Sequence, residues 1–108
     1  MYSNPSKFTV NNLVKHKFNK TESDSIVALE VIEVHAHTSS IGTEVFYTTR
    51  AIVCRKSYKK PYDKENSEFE WIVANAIAKT DLKFGYAKYR EDELVELEKE
   101  SISIILGE

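Results

Sequence analysis

A mainly β protein is expected from this chain: a small barrel of about five strands in one domain, carrying one helical insertion. Three features lead there. Residues 26–54 hold two long runs rich in β-branched and aromatic side chains, Ile26–His37 and Glu44–Cys54, around the polar turn cluster 38–43 with Gly42 near its end. Such side chains fit a pleated surface, and Gly42 takes positive φ without steric cost, so the segment reads as a hairpin. The apolar set of the first run changes face around Glu30–Glu33, which marks a bulge or a strand covered on both faces. Finally, three glycines and two prolines in 108 residues leave regular elements joined by polar turns rather than flexible linkers.

Taken in order, residues 1–7 read as a loose polar arm broken by Pro5. Leu13–Phe18 is a short first strand after the Asn11-Asn12 turn. Asn19–Ser25 is a polar loop whose hydroxyls and carboxylates favour turns. In the first long run Val27, Leu29 and Val31 share a side; Ala28, Ile32 and Val34 share the other with Glu30. A bent strand of this kind suits a small barrel, where long strands serve two sides. In the second run Val45, Tyr47, Ala51 and Val53 oppose Phe46, Ile52 and Cys54. Residues 55–66 read as a polar connection containing Pro61. Ser67-Glu68-Phe69-Glu70 has the form of a capping box, and Phe69, Ile72, Val73, Ala76 and Ile77 follow at helical spacing, so a helix is expected over 68–79. A buried strand over Glu70–Ile77 is the competing reading. Asp81–Tyr89 alternates as a strand, Arg90–Leu94 forms one tight helical turn, and Val95–Leu97 is extended. Ser101–Leu106 alternates as a last strand, with a helix over 91–105 as the alternative. The barrel thus takes residues 8–54 and 82–106 of a single domain spanning 1–108, and 55–81 is an insertion.

These segments resemble the small SH3-like barrel proteins of bacteria and their phages, of the Tudor- and KOW-like type. The resemblance rests on "NNLVKHKF", "IVALEVIEV", "EVFYTTRAIV" and the one-turn motif "YREDEL" at Tyr89–Leu94, and covers roughly residues 8–54 and 82–97. It implies an SH3-like barrel closed by a short final strand. The type has no catalytic motif to carry over. Residues 55–81 exceed the turn such barrels have there, and Asn11-Asn12 stands where their first strand opens on glycine. Function is not inherited with such a fold.

A net charge of −2 supplies no global field to recruit nucleic acid or a membrane. The single cysteine, Cys54, precludes an intramolecular disulfide, and the N-terminal residues lack the apolar run of a signal peptide; a cytoplasmic protein with no membrane association is expected. The function expected is a non-catalytic binding module. An unknown protein partner would dock on exposed aromatics of the insertion, namely Tyr58, Tyr62 and Trp71. The alternative is nucleic-acid binding by Arg55, Lys56, Lys59, Lys60 and Lys64, the lysines neutralising phosphates while Tyr58 and Tyr62 stack on bases. His35 and His37, two apart on one strand face, could supply two ligands of a zinc-dependent enzyme. His16, Cys54 or a carboxylate would have to complete that set, and no spacing motif nominates them, so no metal or other cofactor is expected. Cys54 lies in an apolar run, where a buried inert thiol is the common case. Glu91, Asp92, Glu93, Glu96, Glu98 and Glu100 read as a solvated acidic turn, with a basic partner as the alternative. Self-association through an uncovered strand edge is a further possibility.

Overall fold

The computed structural model describes residues 6–20, 22–73 and 86–107. Among these residues the strands are β1 (Leu13–His16), β2 (Ser25–Ser39), β3 (Gly42–Tyr58), β4 (Phe69–Val73), β5 (Tyr86–Arg90) and β6 (Leu94–Glu96), followed by a helix, α1 (Lys99–Leu106). All strand pairs are antiparallel within one sheet. The order is β4-β3-β2-β1-β6, with β5 also on β3. The mainly β expectation holds, but among the described residues the sheet is open and has six strands rather than closing as a barrel of about five.

The β2–β3 hairpin is its spine. The tip turns at Gly42, whose φ is +136°. The ladder shifts register between Val31 and Glu33, so Ile32 is an extra residue. Before the bulge Leu29 and Val31 face the core; after it Val34 does. This is the face change read from the sequence near Glu30–Glu33. Without the extra residue, Val34 would turn to the other side. The core itself is Phe8, Val14, Leu29, Val31, Tyr47 and Leu94, with Val34, Val45, Ala51 and Tyr89 packed against it. Ala28 and Cys54, on the other side of the same ladder, are also buried, so the middle of the hairpin is covered on both faces.

β1 begins after Asn11, which takes the left-handed conformation (φ +76°) that asparagine tolerates better than most residues. The N–H of Thr9 donates to Asn12 Oδ1 at 3.0 Å, closing the turn. The strand ends at His16, two residues before the expected limit. Lys7 is not loose. Its N–H and that of Phe8 donate to the Tyr47 hydroxyl at 2.9 and 3.1 Å, and the hydroxyl donates to Glu91 Oε2 at 2.5 Å. One buried tyrosine thereby ties the N-terminal arm to the 3₁₀ turn Glu91–Glu93. Residues 1–5 lie outside the described residues.

Four further expectations need correction. The polar connection begins later than residue 55, because β3 continues to Tyr58 and so carries Arg55 and Lys56 on a strand. Residues 69–73 are strand, not helix. The Ser67 hydroxyl accepts from the Lys60 N–H at 2.7 Å and donates to the Glu68 carbonyl at 2.8 Å, so the capping box does not form. Phe69, Trp71, Ile72 and Val73 are strong β formers, and the end of β3 offers them a partner. The remainder of the expected helix, 74–79, lies outside the described residues, as do residues 81–85 of the expected strand 81–89; the described strand there is Tyr86–Arg90. Finally, residues 101–106 belong to α1 rather than to a last strand, and a 91–105 helix does not form either, because β6 interrupts it. The Ser-Ile-Ser-Ile-Ile-Leu run satisfies both periods. Gly107 (φ +75°) stops the helix, its N–H donating to the carbonyls of Ile104 and Ser103. Among the described residues no helix is long and apolar enough to cross a membrane.

Candidate binding face at the β4 edge

Beyond Cys54 the second face of the sheet changes from apolar to aromatic and basic. Cross-strand partners share a face, so the register Cys54↔Val73, Lys56↔Trp71 and Tyr58↔Phe69 sets these six side chains in one patch. Tyr58 and Phe69 have ring centroids 5.8 Å apart; Phe69 and Trp71 meet edge to face at 6.3 Å and 89°. Lys56 Nζ lies 4.3 Å from the Phe69 centroid and 5.4 Å from that of Trp71. Lys64, in the 3₁₀ turn Lys64–Asn66, stands 5.4 Å over the Tyr58 ring. The cations thus sit on ring faces, where the quadrupole attracts them. Tyr58 and Trp71 are half-buried, while Phe69 is 44% exposed.

Asp24, in the turn before β2, anchors one side. The Tyr58 hydroxyl donates to Asp24 Oδ1 at 2.6 Å. That bond, reinforced by the charges of Lys64 and Lys56 and only partly offset by desolvation, holds the Asp24 carboxyl below the usual carboxylate range; the same bond pushes the Tyr58 phenol up. Lys56 N–H donates to the Asp24 carbonyl at 3.0 Å, fixing β3 beside this turn.

The sequence-derived candidates separate here. Tyr58 and Trp71 come together on one face, each against Phe69. Tyr62 does not join them; it is 85% exposed in the turn beyond β3. Phe69 belongs to the cluster and was hidden by the helical reading. The strict alternation Glu68-Phe69-Glu70-Trp71 is the period-two signal that would have found it. The basic set is split. Arg55 faces the opposite side, across from Ile72 and Ser25. Lys59 pairs with Glu68 at 2.9 Å. Lys56 and Lys64 lie over rings, and Lys60 is held through its backbone N–H.

The remaining candidates lie elsewhere. His35 Nε2 is 2.9 Å from Thr48 Oγ1 and 3.2 Å from Glu33 Oε2, while His37 is exposed near the hairpin tip. Among the described residues no group of three or more His, Cys, Asp or Glu gathers to hold a metal. Cys54 is fully buried, and burial pushes its thiol pKa up, away from the thiolate form that reacts. The acidic stretch is partly structural: Glu91 receives the Tyr47 hydroxyl, Glu93 Oε1 accepts the Arg90 N–H at 3.0 Å, and Glu98 pairs with Lys15.

No family model matches this chain, and neither a curated protein nor a solved structure matches it. Function therefore rests on the residues themselves.

Proposed function

We propose that the chain is a small non-catalytic binding module of SH3-like type, and that it docks a protein partner on the Tyr58–Phe69–Trp71 face. The observation that carries this reading is the contiguity of three rings, one of them 44% exposed, beside the exposed Val73 on the same face of an edge strand. Aromatic side chains with large area and few rotatable bonds are the usual anchors of protein interfaces. The SH3-like part of the reading draws support from β6 lying beside β1 and from the one-turn 3₁₀ segment Glu91–Glu93 just before it, the position of the "YREDEL" motif.

Nucleic acid is the weaker alternative. Lys59 is neutralised by Glu68, Lys56 and Lys64 flank Asp24, and Arg55 points to the other face. A phosphate backbone would meet a nearly balanced local charge rather than a basic stripe.

Affinity capture with the whole chain tests the proposal. Phe69→Ala and Trp71→Ala, each verified as folded by circular dichroism, should remove the specifically captured protein, whereas Tyr62→Ala should not. Equal capture by all three folded variants would refute the assignment.

A further inference from the structure

The hydrogen-bond phase of β4 shows what form a partner on this face must take. Lys59 N–H donates to the Glu68 carbonyl at 3.0 Å. In an antiparallel ladder hydrogen-bonded pairs alternate, so Ser57/Glu70 and Arg55/Ile72 are the next such pairs. The N–H and C=O groups of Phe69, Trp71 and Val73 therefore point away from β3. Among the described residues no strand pairs with that edge. The outward backbone groups belong to the same residues whose side chains build the aromatic row. The other side of β4 carries Glu68, Glu70 and Ile72, and Phe69, Ile72 and Val73 are 44%, 50% and 41% exposed. Among the described residues this edge leaves its ladder unpaired beside exposed apolar side chains, the combination that templates pairing with another strand.

We infer that β4 receives an extended segment of a partner as an added strand, one whose apolar residues alternate with lysine or arginine. This rests on the protein-binding reading above and specifies its partner. Main-chain bonds to Phe69, Trp71 and Val73 supply the pairing. Apolar side chains of the segment lie along the aromatic row, and its cations fall beside Glu70 and the partly neutralised Glu68. A second copy of this chain fits less well than a cationic segment. Antiparallel self-pairing centred on Phe69 sets Glu68 against Glu70, and centring on Glu70 sets Glu70 against itself; like charges directly opposed destabilise a ladder. Centring on Trp71 leaves each Glu70 opposite Ile72 with no cation.

A short synthetic peptide alternating lysine with valine and tyrosine is the probe, titrated against the whole chain by amide NMR with hydrogen exchange. The expected result is new protection at the Phe69, Trp71 and Val73 amides. N-methylating two amides on the pairing side of the peptide should weaken binding by about tenfold, the worth of two net hydrogen bonds. Glu70→Lys should reduce affinity roughly threefold to tenfold and transfer preference to a peptide with glutamate in place of lysine. If Trp71→Ala weakens the peptide but N-methylation and the charge exchange do nothing, strand addition is wrong and the aromatic docking face survives. If no alternating peptide of either charge protects these amides, strand addition is again overturned, while partner capture still judges the docking face. Protection by a single-stranded oligonucleotide instead would overturn both. Protection that grows with protein concentration in the absence of peptide would give the edge to a second copy and defeat the inference.

Discussion

At the scale of single residues, the Asp24–Tyr58 pair is the feature whose chemistry can be read directly. The folded pKa of Asp24 lies below its unfolded value, so its contribution to stability is complete above the usual carboxylate range. That contribution is lost as pH falls through the lowered value. For Tyr58 the folded value is raised, so its contribution is present below the usual phenol range and disappears as pH rises through the raised value. The pair should hold the β3 end to the turn before β2 across the whole neutral range. Titration of the Asp24 carboxyl carbon by NMR should give a depressed midpoint, and Tyr58→Phe should return it toward the ordinary value. An unchanged midpoint in that variant would show the hydroxyl has no part in it. None of this was legible in the sequence. Asp24 and Tyr58 are far apart along the chain, and only the register Ser25↔Arg55 brings them together.

Elements were legible where one physical signal dominated. The hairpin was plain because its side chains, its turn glycine and its bulge all pointed to one solution. The stretch 67–73 misled because two signals competed. Ser67 and Glu70 offered a helix start, while Phe69, Trp71 and Val73 alternated for a sheet; the waiting edge of β3 decided it. The C-terminal run misled in the opposite direction. Its alternating serines and isoleucines suit a strand, yet Ile102, Ile105 and Leu106 also recur at helical spacing, and Gly107 supplies the stop. Gly107→Ala tests that stop. A residue with a side chain is strained at φ +75°, so the variant should lose about 1 kcal/mol, with the loss seen in thermal unfolding followed at helical wavelengths. No change would mean that the left-handed cap does not limit α1. The candidate site followed the same logic: Tyr58 and Trp71 were found from composition, but Phe69 needed the strand.

For the whole molecule, stability depends on the strands nearest the two ends of the chain meeting. β6 is only three residues long, yet it lies on β1 and places Leu94 among Val14, Leu29 and Tyr47 at 2% exposure. Leu94→Ala should cost about 3 kcal/mol in denaturant unfolding, because it removes a buried side chain and leaves a cavity. Ile41→Ser should stay within about 0.5 kcal/mol, since Ile41 is 97% exposed at the hairpin tip and packs on nothing that folding needs. Similar losses for the two variants would contradict this division between a closed centre and a free tip. The edge of β3 opposite β2 carries a different lesson. Val73 faces Cys54 and Tyr86 faces Arg50, so β4 and β5 run in one direction along the same edge. Their partners on β3, Cys54 and Arg50, are separated only by Ala51–Val53, so a three-residue span would suffice to join the two ladders into one strand. Both ladders lie on the same edge of β3 and run antiparallel to it. The β3 edge therefore aligns both ladders by itself and marks a splice point between them. A new recognition segment could be grafted there, directly beside the aromatic row.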